Sequence, residues 1–121
     1  MSWLEEHADV ECCDIVTTGR VSGRPHEIEI WFGVQDGTMY LISGNGPGAD
    51  WYRNVLSTPD VVVKLAGERR TGRARDVLDP DERRRCGELM GRKYVWDGDA
   101  SIGLTYEAWC FEVPAIAIEF D

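Results

Sequence analysis

The chain has 121 residues, of which 43% are hydrophobic, and it contains five Trp. That length and composition predict one folded domain over residues 1–121 and exclude a disordered chain. The net charge of -9 disfavours nonspecific binding to nucleic acid or to an anionic membrane.

No segment approaches the roughly 18 apolar residues that a membrane-spanning helix needs, and the first residues lack the regions of a secretory signal. We therefore expect a cytoplasmic protein with no membrane span. The cysteines include no pair with the two-residue gap typical of metal and redox sites, so we expect reduced thiols and no metal ion. Neighbouring Cys12 and Cys13 would point to opposite faces of a strand, with one of them in the core.

The first third of the chain predicts a short helix followed by antiparallel strands. The strands are indicated by β-branched content and by alternation of apolar and polar side chains. An Asp-Gly pair between two such runs is typical of a tight hairpin turn. The predicted elements are a helix at 3–9, strands at 14–18, 26–34 and 38–42, and turns at 19–25 and at Asp36-Gly37.

A loop with three glycines follows the first hairpin, at residues 43–48. Glycines let the backbone approach an anion closely, and free amides at the start of the next helix point outward. The loop can therefore hold a phosphate. Gly, Asn and Pro are also ordinary turn residues, so a plain connector is the alternative. The turn at 19–25 favours the phosphate interpretation because it offers the guanidinium groups of Arg20 and Arg24.

The remainder predicts two helices, a second hairpin and a last strand. Asp50 can cap a short helix that Pro59 ends. Asp79 as N-cap, with a proline next and Glu82 as capping glutamate, opens a longer helix. The elements are a helix at 51–56, strands at 61–65 and 70–77 joined across Gly67-Glu68, a helix from 80 to about 93, and a strand at 109–120 broken by Pro114.

Six strands and few helices favour a mainly β fold of the α+β type. In this order the strands close most economically as a six-stranded antiparallel barrel with flanking short helices. An open sheet is the alternative architecture.

Two motifs in this order resemble the deazaflavin-dependent nitroreductases. The first is Thr17-Thr18-Gly19-Arg20 with Ser22-Gly23 and Pro25, and the second is Trp51-Tyr52-Arg53-Asn54 after the loop that begins at Ser43. The resemblance covers residues 14–79. It implies the split β-barrel that this family shares with pyridoxamine 5'-phosphate oxidases and other FMN-binding proteins.

The resemblance also implies an activity. Members of the family pass hydride from a reduced deazaflavin coenzyme of the F-420 type to an electron-poor small molecule such as a quinone, a nitro compound or an enone. The cofactor carries the chemistry in such an oxidoreductase, and the protein supplies position and charge. A homodimer whose interface completes the site is the expected assembly.

Residue types and the resemblance together nominate the cofactor-binding residues. Arg20 and Arg24 can hold a phosphate or carboxylate through paired hydrogen bonds, with solvated turn arginines as the alternative. Ser22 and Ser43 can donate to phosphate oxygens or simply stabilise their turns. Trp51 can wall a ring pocket or pack its helix onto the barrel. The full predicted set is Arg20, Ser22, Gly23, Arg24, Pro25, His26, Ser43, Gly44, Asn45, Gly46, Trp51, Tyr52 and Asn54.

Tyr94 is the predicted catalytic residue. It falls where the family places an aromatic residue over the substrate pocket, and a phenol there can hydrogen-bond an acceptor oxygen. Packing at the end of the second helix is its alternative role.

Some residues depart from the family pattern and make the expected site less cationic. Val21 stands where many deazaflavin enzymes carry lysine, and Glu27 and Glu29 stand where relatives commonly have Asn and Pro. These carboxylates would repel long polyglutamate tails, which makes FMN, with its single phosphate, the alternative cofactor. A haem ligand, a non-catalytic cofactor carrier and a barrel that only scaffolds partner proteins are further alternatives.

Overall fold

A computed structural model describes residues 2–120 as one strongly curved antiparallel sheet accompanied by helices. The strands are β1 (Cys12–Thr18), β2 (Pro25–Trp31), β3 (Gly33–Gln35), β4 (Thr38–Ile42), β5 (Asp60–Leu65), β6 (Glu68–Asp76) and β7 (Ala115–Phe120). The helices are α1 (Trp3–Glu6), α2 (Asp50–Ser57), α3 (Pro80–Lys93) and α4 (Tyr106–Phe111), with 3-10 turns at Gly46–Gly48 and Ala100–Ile102. None of these helices is long and apolar enough to cross a membrane.

The strands lie in the order β2-β1-β5-β6-β7-β4-β3, and each pairs antiparallel with its neighbours. β2 and β3 thus lie at opposite edges of the sheet, although only Phe32 separates them in the chain. A link this short requires the two edges to come together, as in a barrel with an open seam. The predicted fold class, a mainly β split barrel with short helices, is confirmed, with seven strands among the described residues instead of six.

The single strand predicted over residues 26–34 is wrong, because the chain turns a corner at Phe32. The Phe32 side chain is fully buried. Its backbone N–H donates to the Tyr94 hydroxyl over 3.1 Å, and its carbonyl oxygen lies 3.0 Å from the same hydroxyl. At this point the Tyr94 side chain, and not a neighbouring strand, makes the hydrogen bonds to the backbone. The alternation of apolar side chains continues through the corner, so periodicity alone does not reveal it.

The strand predicted over residues 109–120 is shorter than expected, because its first part belongs to helix α4. The Thr105 hydroxyl accepts from the Ala108 N–H over 3.0 Å and caps the start of the helix. At its end, the Arg83 guanidinium donates to the carbonyl oxygens of Cys110 and Val113. These two contacts come from polar residues outside the apolar run. The run itself suits a strand as well as a short buried helix.

Two apolar clusters support this architecture. One gathers side chains from the sheet and α2, and the other packs α3 and α4 against β4 and β7. Cys13 is 3% exposed and belongs to the first cluster, whereas Cys12 is partly exposed. The prediction that these neighbours point to opposite faces of β1 is confirmed.

The longer helix begins as predicted, but its glutamate has another role. The Asp79 carboxylate accepts from the Asp81 N–H over 3.1 Å and caps α3. Glu82 does not complete a capping box. Its carboxylate accepts two hydrogen bonds from the Arg75 guanidinium, over 2.7 and 2.8 Å, and one from the Tyr40 hydroxyl over 2.8 Å. Glu82 thereby ties α3 to β6 and β4.

Glu82 is expected to make folding stability depend on pH. The hydrogen bonds from Arg75, helped by the one from Tyr40, lower the pKa of Glu82 from 4.5 to about 2. The charged Glu82 carboxylate therefore stabilises the folded state at pH values above 4.5. This contribution is lost as the pH falls toward about 2, where the carboxylate becomes protonated in the folded state as well. We expect Glu82→Gln to lower the free energy of unfolding by about 2 kcal/mol at neutral pH and by much less in strong acid.

Urea unfolding at neutral pH and in strong acid measures the loss of unfolding free energy under each condition. Glu88→Gln is the matched control, since Glu88 lies on the same helix in an exposed ion pair and should change stability little at either extreme. A Glu82→Gln loss that stays the same at every pH would contradict the expectation.

Candidate functional site

A cavity of about 490 Å³ opens where the turn after β1 meets the beginning of α2. Its wall combines this turn, the first residues of β2 and one face of α2. The cavity is therefore built from the two motifs that the sequence singles out. Five of the predicted cofactor-binding residues line it, namely Arg20, Ser22, His26, Trp51 and Asn54.

The Arg20 side chain joins the turn to α2. Its Nη1 donates to Asn54 Oδ1 over 2.8 Å and to the Asp50 carbonyl oxygen over 3.4 Å. Its Nη2 donates to Asp50 Oδ1 over 3.0 Å in an ion pair. The Arg20 side chain is 23% exposed. It is thus a fixed cation at the cavity and not a freely solvated turn residue.

Asn54 is the buried centre of this network. It is 4% exposed, and its Oδ1 accepts from the backbone N–H of Arg20 over 3.2 Å as well as from the guanidinium. Its Nδ2 donates to Thr17 Oγ1 over 3.2 Å, and Thr17 is also buried. Burying polar groups is costly unless they are hydrogen-bonded, so these bonds fix the turn against α2. Asn54 therefore shapes the cavity by holding Arg20.

Replacing Asn54 with alanine should loosen the turn that carries Arg20. The change removes the acceptor for two Arg20 N–H groups and the partner of the Thr17 hydroxyl. We expect the free energy of unfolding to fall by about 2 kcal/mol, measured by urea denaturation. Asn45→Ala, in the exposed glycine loop, is the matched control and should cost less than about 0.5 kcal/mol. Equal losses in the two variants would argue against a buried network.

The rest of the turn closes on itself. The Gly19 N–H donates to the Arg24 carbonyl oxygen and the Gly23 N–H to that of Gly19, both over 2.8 Å. The Ser22 hydroxyl oxygen accepts from the Arg24 N–H over 3.1 Å. Gly23 has a φ of 72°, which favours glycine. These contacts hold Ser22 and Gly23 in the turn, and their contact with a cofactor stays a prediction. Arg24 and Pro25 are exposed and lie outside the cavity lining, so their contact with a cofactor stays a prediction.

The glycine loop lies apart from this cavity. Gly44, Asn45 and Gly46 line a different depression beside Leu104, and the two sets of lining residues have no member in common. Ser43 is fully buried, and its hydroxyl donates to the Gly46 carbonyl oxygen over 2.7 Å. Within this chain the two turns therefore line different depressions. A phosphate contact from the glycine loop stays a prediction.

Trp51 and Tyr52 have different surroundings on α2. Trp51 is partly exposed and lines the cavity. Tyr52 is 6% exposed and belongs to the core, where its hydroxyl donates to Asp76 Oδ2 over 2.9 Å. Burial and this hydrogen bond raise the pKa of Tyr52 to about 12, so the phenol stays protonated at neutral pH. Trp51 offers a surface for a bound ring, while Tyr52 packs the helix.

Tyr94 lies in the second apolar cluster and not in the cavity lining. Its ring stacks on Trp31 with centroids 4.3 Å apart, and its hydroxyl lies 2.6 Å from the Glu11 carbonyl oxygen. Burial raises the pKa of Tyr94 to about 12. Through its hydrogen bonds to the Phe32 backbone, the phenol holds the end of α3 against the corner between β2 and β3. Its predicted contact with an acceptor stays a prediction.

Asp50 and Ile28 are the lining residues that sequence reasoning did not connect with the site, and Asp50 is the more informative. Asp50 does not cap α2 as predicted, because Ala49 takes the N-cap position and Asp50 is the first helical residue. A signal was present, since Asp50 and Asn54 are four residues apart and therefore share one face of a helix. The other lining residues are Thr17 and Gly19 of the first motif, and Val21 and Glu27, which depart from the family pattern at the expected site.

The lining carries charges of both signs. Arg20 is the one Arg or Lys that it contains among the described residues, and Asp50 and Glu27 are its carboxylates. Glu27 is also paired with Lys64, whose Nζ lies 2.5 Å from its Oε1. No group of three or more metal-binding side chains occurs within residues 2–120. This arrangement suits a ligand with an apolar body and one compact anionic group.

The chain is similar to one known protein family. The F420H(2)-dependent quinone reductase family matches residues 9–100, a range that includes the whole cavity lining. No curated protein matches the sequence.

Solved structures share the fold at low sequence identity. A structure described as an F420-H2 dependent reductase, FDR-A, is 20% identical with a TM-score of 0.70, covering 91% of this chain and 95% of that one. A Listeria innocua protein assigned as a pyridoxamine 5'-phosphate oxidase is 18% identical, with a TM-score of 0.67 and coverage of 98% and 87%. HutZ, described as the haem storage protein of Vibrio cholerae, is 13% identical, with a TM-score of 0.72 and coverage of 98% and 87%. The likeness shows the fold, and the different descriptions mean that the fold alone does not choose a ligand.

Proposed function

Because the chain belongs to the F420H(2)-dependent quinone reductase family, we propose that it passes hydride from a reduced deazaflavin coenzyme to an electron-poor small molecule. Quinones, nitro compounds and enones are the proposed acceptor classes. The observation that carries the proposal is the cavity beside α2, where the fixed Arg20 guanidinium and the partly exposed Trp51 ring line one space.

The residues of the cavity suit such a coenzyme. Its volume of about 490 Å³ lies within the range of about 300 to 1,000 Å³ that is typical of small-molecule sites. A guanidinium can bind a phosphate through paired charge-assisted hydrogen bonds. Trp51, Ile28 and Val21 can contact an aromatic ring system. Val21 is 94% exposed in the single chain, so a bound ring would cover apolar surface that otherwise faces water.

When bound, the reduced coenzyme supplies the hydride, and the chain supplies orientation and surroundings. Arg20 would fix the phosphate end, because its own position is set by Asn54. Trp51 and Ile28 would orient the ring and exclude water from one of its sides. Positioning of this kind lowers a barrier without any acid or base in the protein.

An FMN-dependent reductase is the second candidate, and the charge of the lining favours it. Asp50 lies directly beside Arg20, the one Arg or Lys of the lining among the described residues, which suits a single phosphate better than a tail with several carboxylates. A carrier that holds either cofactor without turnover would use the same residues.

The proposed assembly is a cytoplasmic homodimer in which a second copy covers the mouth of the cavity. Val21 at the cavity is 94% exposed, so a second copy at the mouth would bury its apolar side chain. Light scattering on the eluting protein measures the oligomeric state, and a monomer at all concentrations would contradict this assembly.

Visible absorption spectroscopy separates the candidate functions. The purified protein is incubated separately with the deazaflavin coenzyme and with FMN, and unbound dye is removed. Menadione or a nitroaromatic is then added to the complex after its coenzyme has been reduced. Oxidation faster than in a protein-free control supports the reductase, whereas retention of dye without turnover supports the carrier. Retention of neither dye would contradict both.

A further inference from the structure

We infer that Asp50 is a specificity-determining residue of this site, because its carboxylate competes with an anionic ligand for Arg20. The inference rests on the proposed function, since it concerns how the phosphate of the coenzyme is received. Removing the Asp50 charge should tighten the binding of phosphate-bearing ligands and leave their phosphate-free forms unchanged.

Asp50 is the exposed partner of Arg20, and Asn54 is its buried partner. Asp50 Oδ1 lies 3.0 Å from Arg20 Nη2, and the Asp50 side chain is 87% exposed. Asn54, by contrast, is 4% exposed and binds Arg20 Nη1 from within the structure. A ligand that enters from solvent therefore encounters the Asp50 carboxylate next to the Arg20 guanidinium that would bind its phosphate.

The guanidinium retains donors for a ligand only beside this carboxylate. It has five N–H groups, and its hydrogen bonds to Asp50 and Asn54 use both N–H groups of Nη1 and one N–H of Nη2. The Nε–H and the second N–H of Nη2 have no acceptor among residues 2–120. A phosphate can bind these two donors next to the carboxylate of Asp50, which repels it, or it can displace that carboxylate. Asp50 opposes binding by either route.

Loss of the Asp50 charge should not release Arg20 from its place. An exposed ion pair stabilises its geometry only weakly. In Asp50→Asn the bonds from Arg20 to the Asn54 amide and to the carbonyl oxygen of residue 50 remain available. The variant therefore changes charge at the cavity while keeping the buried network.

The test compares ligands with and without their phosphate. Dissociation constants are measured by fluorescence titration for FMN and riboflavin, which differ only in the phosphate. The deazaflavin coenzyme is compared with its riboside, which lacks both the phosphate and the acidic tail. Asp60→Asn is the matched control, because Asp60 pairs with Arg73 at 3.4 Å with both side chains 71% exposed, and it lies outside the cavity lining. Asp60→Asn changes the net charge by the same amount and also releases Arg73 from its ion pair.

We expect Asp50→Asn to tighten binding of the phosphate-bearing form about threefold to fivefold at low ionic strength, with a smaller gain in high salt. Binding of the phosphate-free form and all binding by Asp60→Asn should stay at the wild-type level. The inference is overturned if Asp50→Asn leaves phosphate-bearing ligands unchanged or weakens them, or if riboflavin or Asp60→Asn shows the same gain. If no variant binds any of these ligands, the proposed function fails as well. If the gain appears but menadione is not reduced, the inference stands and the reductase proposal falls.

Discussion

Replacing Arg20 with alanine is expected to weaken retention of a phosphate-bearing coenzyme at least tenfold. A charge-assisted hydrogen bond contributes about 1.5 to 3 kcal/mol, and every 1.4 kcal/mol is about a factor of ten in a dissociation constant. Arg20 is held at the cavity by Asn54, and no other Arg or Lys among residues 2–120 lines the cavity. Fluorescence titration with FMN and with the deazaflavin coenzyme measures the change.

Arg73→Ala is the matched control, because Arg73 is likewise an arginine in an ion pair but is exposed and outside the lining. It should weaken binding by less than about threefold. Arg20 also bonds to Asn54, so urea denaturation of Arg20→Ala must show that the variant is folded under the titration conditions. Similar losses in the two variants, or equal losses for riboflavin and FMN, would remove Arg20 from its proposed role.

Replacing Arg83 with methionine should lower the free energy of unfolding by about 3 kcal/mol. The Arg83 guanidinium donates to the Val113 carbonyl oxygen over 2.8 Å and also to that of Cys110, at the end of α4. Arg83 is partly buried, and this burial lowers the pKa of its guanidinium. Methionine keeps the apolar length of the side chain but leaves these carbonyl groups without their donor.

Arg84→Met is the control for this change, since it makes the same substitution one residue further along α3. Arg84 is exposed and pairs with Asp81 and Glu88 at 3.7 and 3.5 Å, so its loss should cost less than about 1 kcal/mol. Urea denaturation of both variants gives the comparison. A loss in Arg83→Met no larger than that in Arg84→Met would mean that the guanidinium does not hold α4 to α3.

Much of the fold could be predicted from local patterns. The strands at β1, β4, β5 and β6 follow from β-branched content and turn residues, and α3 begins at the Asp79 cap as expected. The corner at Phe32 could not be predicted, because it depends on the Tyr94 hydroxyl, 62 residues away. Helix α4 depends in the same way on Arg83, which lies on another helix. Local periodicity carries no information about such distant partners.

The candidate site could be predicted in part. The motif residues Arg20, Trp51 and Asn54 do line one cavity, as their place in the family pattern implies. The ion pair between Arg20 and Asp50 spans 30 residues and arises from the way α2 packs against β1. The glycine loop, which resembles a phosphate cradle by composition, lines a different depression, and its contact with a phosphate stays a prediction. Composition identifies groups that can bind an anion, and only the packing decides which of them meet.

The place of β7 in the sheet has a consequence for a chain that lacks it. It follows all the other strands in the chain, yet it lies between β6 and β4 and pairs with both. In a chain that stops before residue 115, the edges of β6 and β4 that pair with β7 would lack their partner. Exposed edges of this kind readily pair with other chains. We therefore expect a chain that lacks β7 to aggregate more readily than the full chain, because β7 covers both edges.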